Sequence, residues 1–191
     1  MFLNVPHSIS ALTRRNPTSI ISRCKVLKQM LGKAVCNDLL FLHAFTGCDS
    51  VSRVFGIGKK LEFQRIIKRE KPMKDCSKAF SLLKQSQDLV ETNGCKALVA
   101  LFNTDQKDSQ ESIRYNMLCK KVARATMFIM PERLLPTVSA CKFHSVRTYY
   151  QVMEWMGCSD EMAPSEWGWK VEGDKLVPVM TDKSPTPDAL I

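Results

Sequence analysis

Residues 39–60 read LLFLHAFTGCDSVSRVFGIGKK and form the clearest pattern in this chain of 191 residues. The apolar side chains of the run Ala34–Thr46 lie mainly on one side of a helix, and the run stops at Gly47, a residue type that commonly ends helices. A segment punctuated by glycines follows and leads into a basic helix, Lys59–Arg69, which Pro72 closes. The pattern predicts two helices joined by a tight turn.

The turn itself, Gly56-Ile57-Gly58, is a candidate site for an anion. Backbone N–H groups exposed by a glycine turn attract phosphate, and the positive end of the following helix dipole adds to this attraction. Lys59 and Lys60 lie in the first turn of that helix, where a cation is mildly disfavoured unless a phosphate is bound. On this pattern alone, a plain turn between two helices is the alternative.

The positive charge of the chain is concentrated in its first half. The whole chain has 28 basic and 19 acidic side chains, a formal net charge of +9. Residues 1–84 contain 16 basic and 5 acidic side chains, a net charge of +11, whereas residues 85–191 contain 12 and 14, a net charge of −2. Such a distribution is typical of a protein with a polyanion partner, most often nucleic acid. A lysine-rich solvated face is the alternative.

Composition and cysteine spacing exclude several classes of protein. No apolar run reaches the roughly 20 residues that a membrane-spanning helix needs, so we expect no membrane partner. The 8 cysteines contain no Cys-x-x-Cys pair, which disfavours a structural zinc site and favours free thiols in a reducing, intracellular compartment. We expect a nuclear or cytoplasmic protein. Arg14, Arg15 and Arg23 make a mitochondrial transit peptide the alternative, although Pro6 and Pro17 interrupt any helix there.

The rest of the chain is mostly helical in pattern. Helices are predicted at Lys74–Gln85 and around Cys95–Phe102, with Asn93-Gly94 as a turn between them. Apolar spacing predicts a further helix over Ser112–Ala125, with its apolar residues aligned on one side. Thr137 is expected to cap a long helix that ends at Met156, before Gly157.

The C-terminal region has a β-hairpin pattern, Trp167–Glu172 and Lys175–Met180, with a two-residue turn at Gly173-Asp174. The predicted fold is therefore mainly α, with a small C-terminal β-hairpin. We expect a basic helical region over 1–73, a helical accessory region over 74–157, a hairpin segment over 158–180 and a flexible tail over 181–191.

The spacing from Gly47-Cys48-Asp49 over six residues to Gly56-Ile57-Gly58 resembles the C-terminal nuclease region of the flap endonuclease and XPG superfamily, which has a PIN-like fold. The resemblance implies a helix–two-turn–helix element that binds the DNA backbone beside a K⁺ ion held by main-chain carbonyls of the turn. Where the family often has proline after Gly-Ile-Gly, this chain has lysine. The residues expected to bind phosphate are Gly56, Ile57, Gly58, Lys59 and Lys60, helped by Arg53, Arg65, Lys68 and Arg69.

The same resemblance makes Asp49 a candidate ligand for Mg²⁺ or Mn²⁺, because the family's Gly-Cys-Asp aspartate is one of several carboxylates that bind two divalent cations. The other carboxylates lie upstream in the family, whereas here Asp38 is the sole acid before Gly47. We therefore expect an incomplete catalytic site, as in a gene fragment, a truncated chain or a degenerate copy.

A second resemblance covers most of residues 35–191 and concerns an uncharacterised group of multi-copy invertebrate proteins. The motifs that carry it are His43–Asp49, Tyr115–Lys121, Leu134–Thr137 with Lys142–His144, and Trp167–Asp182. It suggests mobile-element ancestry and a truncated member, because longer proteins of the group carry a PIN-like region upstream and a cysteine-rich segment downstream.

Together these observations predict sequence-independent binding to duplex or junction DNA by a chain that is not an enzyme alone. One alternative is a metal-dependent, structure-specific nuclease, formed when an upstream acidic segment supplies the missing carboxylates. Another is a non-functional fragment or a protein-interaction module. For the two histidines nearest these motifs we expect structural roles: His43 bonded to a neighbouring carbonyl, and His144 packed within the long helix.

Overall fold

The structure is a computed structural model that describes residues 26, 29–30, 32, 38–60, 63–64, 71–102, 108–124 and 128–183. The chain divides into two compact units, Met1–Asn37 and Asp38–Ile191. In the first unit the four described residues are helical. The second unit contains the remaining described residues and the candidate site.

The second unit is mainly helical and ends in a two-stranded antiparallel hairpin, which confirms the predicted fold class. Within the described ranges, none of the helices has the length and apolar character needed to cross a membrane. Residues 38–45 form helix α1, and residues 59–60 and 63–64 are also helical. The elements that follow are α2 (Lys71–Phe80), α3 (Gln87–Leu101), α4 (Gln110–Val122), a 3₁₀ turn (Pro131–Arg133), α5 (Val138–Met156), a second 3₁₀ turn (Pro164–Glu166), β1 (Trp169–Glu172) and β2 (Lys175–Pro178).

Helix α5 begins and ends where the sequence predicts. The Thr137 hydroxyl accepts a hydrogen bond from the N–H of Ala140 at 3.3 Å, which satisfies a donor that has no partner inside the helix. At the other end Gly157 has φ +69°, the left-handed conformation that glycine adopts without a steric penalty. Both local signals are sufficient because a cap depends on neighbouring residues alone.

The structure differs from the sequence prediction at α2 and α3. The helix predicted over Lys74–Gln85 is α2, which spans Lys71–Phe80 and includes Pro72 as its second residue, a position that tolerates proline. The predicted end of the basic helix Lys59–Arg69 lies outside the described residues. Helix α3 runs unbroken through Asn93-Gly94, where a turn is predicted. A Cβ on Gly94 would lie 2.0 Å from Ser145 Oγ, so this glycine allows α3 to pack closely against α5.

Helix α4 covers most of its predicted range, but its aligned apolar residues face solvent. Tyr115 is 66% exposed and Val122 is 57% exposed, whereas Ile113 on another side is buried. Spacing alone predicts that such residues share a side of the helix, and it does not show what covers that side.

The hairpin has the predicted turn, since Glu172 pairs with Lys175 across Gly173-Asp174. Its end is attached to α5: the buried Arg147 guanidinium donates a hydrogen bond to the Val179 carbonyl. The chain stays attached beyond the hairpin, because the Asp182 N–H donates to Ser139 Oγ at 3.2 Å. Thr181 and Asp182 therefore bond to the helical region through Ser139, whereas residues 184–191 of the predicted tail lie outside the described residues.

A chain of aromatic contacts forms the centre of the core. Ring centroids of Phe41 and Phe80 are 5.1 Å apart, those of Phe80 and Tyr149 are 6.0 Å apart, and those of Tyr149 and Trp167 are 4.9 Å apart. These contacts join α1, α2, α5 and the segment before the hairpin. The predicted boundary between residues 73 and 74 falls within α2, and the core includes residues from both sides of it.

Candidate functional site

The site begins at the end of α1. The Thr46 N–H and hydroxyl both donate to the Leu42 carbonyl, at 3.1 and 2.8 Å, and the Gly47 N–H donates to the Ala44 carbonyl at 3.1 Å. Gly47 has φ +100°, and a Cβ there would lie 2.6 Å from the Cα of Arg53. Glycine is needed here for the left-handed conformation and for the close approach of the returning chain.

Three side chains of the loop are buried, Val51, Val54 and Ile57, and the last two belong to the hydrophobic core. The Ile57 N–H donates to the Val54 carbonyl at 3.3 Å, and Gly56 has φ +77°. This is the third-position conformation of a type II turn, which favours glycine. Ile57 is predicted to donate its N–H to a bound phosphate, but this N–H donates to the Val54 carbonyl within the turn. The Ile57 side chain is buried in the core.

Three of the cations predicted to bind phosphate lie next to this turn in the chain. Arg53, Lys59 and Lys60 are exposed, and Gly56 and Gly58 are also open to solvent. The ion pairs found among the described residues join Lys84 to Glu161, Lys142 to Glu91 and Lys170 to Glu172, and so leave out the cations of the turn. The other three predicted cations, Arg65, Lys68 and Arg69, lie outside the described residues.

His43 takes part in the site in a way that the sequence does not predict. Its ring stacks on Trp155 with centroids 5.2 Å apart and planes 13° apart, and its Nδ1 lies within hydrogen-bonding distance of Lys59 Nζ. Partial burial and the positive charge of Lys59 lower the pKa of His43, against the opposing effect of Asp49. The imidazole is therefore neutral at pH 7 and accepts a hydrogen bond from the Lys59 ammonium group, which positions this cation beside the turn.

Among the described residues, Asp49 is not part of a cluster that could bind two metal ions. Asp49 is an exposed loop residue, and the described part of the chain holds no cluster of three or more His, Cys, Asp or Glu side chains that could bind a metal ion. A two-metal centre needs several carboxylates around adjacent cations. Asp49 stays a single candidate ligand for Mg²⁺ or Mn²⁺, and K⁺ at Gly56–Gly58 also stays a prediction.

A second basic surface adjoins the turn. The Arg133 guanidinium lies over the ring of Phe55, 5.9 Å from its centroid, which is within cation–π distance. One hollow beside the turn is lined by Phe55, Gly56 and Arg133, among others. Arg133 also lines a neighbouring hollow together with Lys120, Lys121, Arg124, Phe128, Ile129 and Met130. The two hollows therefore share one arginine.

Sequence reasoning misses this second group of cations because it averages charge over each half of the chain. Lys120 and Lys121 lie in the last turn of α4, Arg124 follows its C-terminal cap, and Arg133 lies in the 3₁₀ turn. All four belong to a half of the chain whose acidic residues outnumber its basic ones. The basic run from Lys120 to Arg124 is visible in the sequence and could have identified these cations. Its proximity to the turn at Gly56 depends on the fold and is not predictable from the sequence. Glu132, also exposed, reduces the positive charge next to Arg133.

No protein-family model matches this chain, and the searches of curated proteins and of solved structures return no significant match either. The resemblance to PIN-like nucleases therefore stays a hypothesis based on the Gly47–Lys60 motif.

Proposed function

We propose that the turn over residues 53–60 and the adjacent basic hollow bind the phosphate backbone of duplex or junction DNA. The proposal rests on the exposed turn. Apart from the adjacent residues in the chain, no atom lies within 4 Å of the position that a Cβ atom would occupy on Gly56 or Gly58. A main chain without side-chain atoms lets a phosphate approach closely, and Lys59 and Lys60 next to it supply positive charge.

The arrangement of charge favours an extended polyanion over a small anion. Arg133 lines both hollows, so the positive surface runs from the turn to Lys120 and Arg124. A chain of phosphates that follows this surface can contact both groups of cations. Each contact releases condensed counterions from the nucleic acid, which is the main source of affinity in non-specific binding.

These contacts also predict weak sequence preference. Lysine and arginine contacts to phosphate position a protein on the duplex without distinguishing base pairs. We therefore expect affinity to fall steeply with salt concentration and to vary little between duplexes of different sequence.

The decisive experiment measures binding of the full chain to a fluorescent DNA duplex at low salt, by anisotropy, for a variant that carries both Lys59→Glu and Lys60→Glu. Reversal of two charges beside the turn places acids against phosphates, so we expect affinity to fall at least about tenfold. The salt dependence should weaken as well, because each lost phosphate contact lowers its slope by about one.

The matched control carries Lys74→Glu and Lys78→Glu, which change the net charge equally. Both lysines are exposed on α2, away from the turn in sequence but within the basic half. We expect this pair to reduce affinity much less than the Lys59 and Lys60 pair. Unchanged binding by the Lys59 and Lys60 variant would contradict the proposal, and so would an equal loss in both variants, which would indicate a diffuse attraction to the whole basic half.

A third variant, with Lys120→Glu and Lys121→Glu, tests the extension across Arg133. If both hollows contact one DNA molecule, this variant also loses affinity for a long duplex. The difference in affinity between the wild type and the variant should be smaller for a four-nucleotide oligomer, which is too short to contact both hollows. Loss with the long duplex but not with the short oligomer would support the extended path.

A further inference from the structure

Two thiols face each other between the central helices α3 and α5. A side-chain hydrogen bond joins Cys95 on α3 to Cys141 on α5, and both cysteines are free. Cys141 is fully buried, whereas Cys95 is half-buried and so open to a small reagent. Gln110 Nε2 also donates to Cys141 Sγ, at 2.8 Å. Neither thiol has a part in the proposed binding of DNA.

The close packing of the two helices brings these residues together. Gly94 lies against Ser145, where a Cβ on the glycine would be 3.5 Å from the Ser145 Cα. Cys95 directly follows this glycine, and Cys141 lies one helical turn before Ser145, whose hydroxyl donates to the Cys141 carbonyl at 2.7 Å. A disulfide requires Cα atoms within about 7 Å of each other, and closely crossing helices can meet this requirement.

The two thiols differ in reactivity. The hydrogen bond from Cys141 lowers the pKa of Cys95, and the nearby positive charge of Lys142 acts in the same direction, against the effect of burial. The hydrogen bond to Cys95 and burial both raise the pKa of Cys141. Cys95 is also the more exposed of the two thiols, so a reagent reaches it first and Cys141 completes the bond.

We propose that Cys95 and Cys141 form a reversible redox site, which low-molecular-weight disulfides of the glutathione class convert from two thiols to one disulfide. The Cys95 thiolate attacks a sulfur of the reagent and releases one glutathione thiolate. The Cys141 thiol loses its proton and attacks the Cys95 sulfur of the mixed disulfide, which releases the second glutathione. Two cysteines lose two electrons and two protons in total, and the reagent gains them.

The disulfide would tie α3 to α5, the two helices at the centre of this unit, and would close the chain between residues 95 and 141. A cross-link of this kind restricts the unfolded chain, so we expect the oxidised protein to unfold at a higher temperature than the reduced protein. Dithiothreitol should reverse the difference.

The experiment treats the full native chain with glutathione disulfide, blocks the remaining thiols by alkylation and maps tryptic peptides without reduction. Trypsin releases Cys95 within residues 85–96 and Cys141 within residues 134–142, each as the single cysteine of its peptide. We expect these two peptides to be linked, and the linkage to be at least about tenfold more abundant than in the same reaction in urea, where cysteines pair at random.

Three variants distinguish the proposed route from general oxidation. Cys141→Ser should stop at a mixed disulfide on Cys95, Cys95→Ser should leave Cys141 unmodified because it is buried, and Cys119→Ser should still form the linked peptide. Circular dichroism identifies any variant that fails to fold, and Cys141→Ala then replaces Cys141→Ser. The proposal is overturned if native wild-type Cys95 ends as a mixed disulfide, joins a different cysteine, or links to Cys141 no more often than in urea.

Discussion

His144 shows at the scale of one residue how a buried polar group joins two helices. Its Nε2–H donates to the Phe45 carbonyl at 3.0 Å, and its ring meets the Phe45 ring edge to face at 5.2 Å. Burial lowers the pKa of His144 to about 4, and the positive charge of Arg147 acts in the same direction. The predicted structural role agrees with this position, but its partner lies 99 residues away and is not predictable from local sequence.

The pKa of His144 predicts a loss of stability in acid. The unfolded state, with a pKa of 6.5, binds a proton before the folded state, with a pKa of about 4. The free energy of unfolding should therefore fall as the pH decreases from about 6.5 to about 4, by about 3 kcal/mol from this residue. Urea denaturation at pH 7 and pH 4 measures the change in the wild type and in His144→Gln.

The variant isolates this contribution, because carboxylates titrate in both proteins over the same range. We expect His144→Gln to be less stable at pH 7, where it loses the native packing, and to lose less stability on acidification than the wild type. Equal losses in the two proteins would show that His144 does not control the acid sensitivity.

At the scale of elements, the contact between α3 and α5 depends on one glycine. A Cβ on Gly94 would lie 2.0 Å from Ser145 Oγ and 2.5 Å from Ser145 Cβ, distances that cannot occur without movement of the helices. An asparagine and a glycine in sequence predict a turn, yet here they continue a helix. The turn prediction is wrong here because glycine, which has no side chain, is suited both to tight turns and to closely packed helices.

Gly94→Ala tests this explanation, because the expected change in stability has one sign if helix propensity dominates and the opposite sign if close helix packing dominates. At an unpacked helix position, the change would stabilise the protein by about 1 kcal/mol. Here we expect it to destabilise the protein by about 2–4 kcal/mol, because the added methyl group separates α3 from α5. Urea denaturation measures the difference.

Ser145→Gly in the same chain removes both side-chain atoms that the new methyl group would meet. The double variant should therefore be more stable than the sum of the two single changes predicts, which is a positive coupling between the two sites. A stabilising Gly94→Ala, or strict additivity, would contradict the close contact.

At the scale of the whole molecule, the compact unit extends further towards the N-terminus than the predicted accessory region. Phe41 and Phe45 from α1 lie in the same core as Phe80, with Phe45 and Phe80 centroids 6.2 Å apart. A boundary at residue 73 would remove both rings and leave the faces of Phe80 and His144 uncovered. The contacts place the boundary at residue 38 instead.

Two shortened chains test this boundary. Residues 38–191 should unfold cooperatively in urea, with a midpoint close to that of the full chain, as measured by fluorescence of Trp155, Trp167 and Trp169. Residues 74–191 should show no cooperative transition, because loss of buried phenylalanine alone costs about 3–5 kcal/mol for each ring. A folded 74–191 chain would restore the boundary that the sequence predicts.

Local signals were enough for the features that neighbouring residues control. The cap at Thr137, the end of α5 at Gly157, the end of α1 at Gly47 and the Gly173-Asp174 hairpin turn all follow from short-range sterics and hydrogen bonding. The same signals place Lys59 and Lys60 beside an exposed turn, and so identify the candidate site from residues 47–60.

Contacts between distant segments required the folded chain. The His43 ring on Trp155, Arg133 over Phe55, Gly94 against Ser145 and Cys95 beside Cys141 each join residues far apart in sequence. A residue's own type does not specify such a partner, because any apolar or small residue on the facing helix satisfies the local pattern equally well. Packing of the whole core selects one arrangement, and with it the extent of the basic surface and the thiol pair.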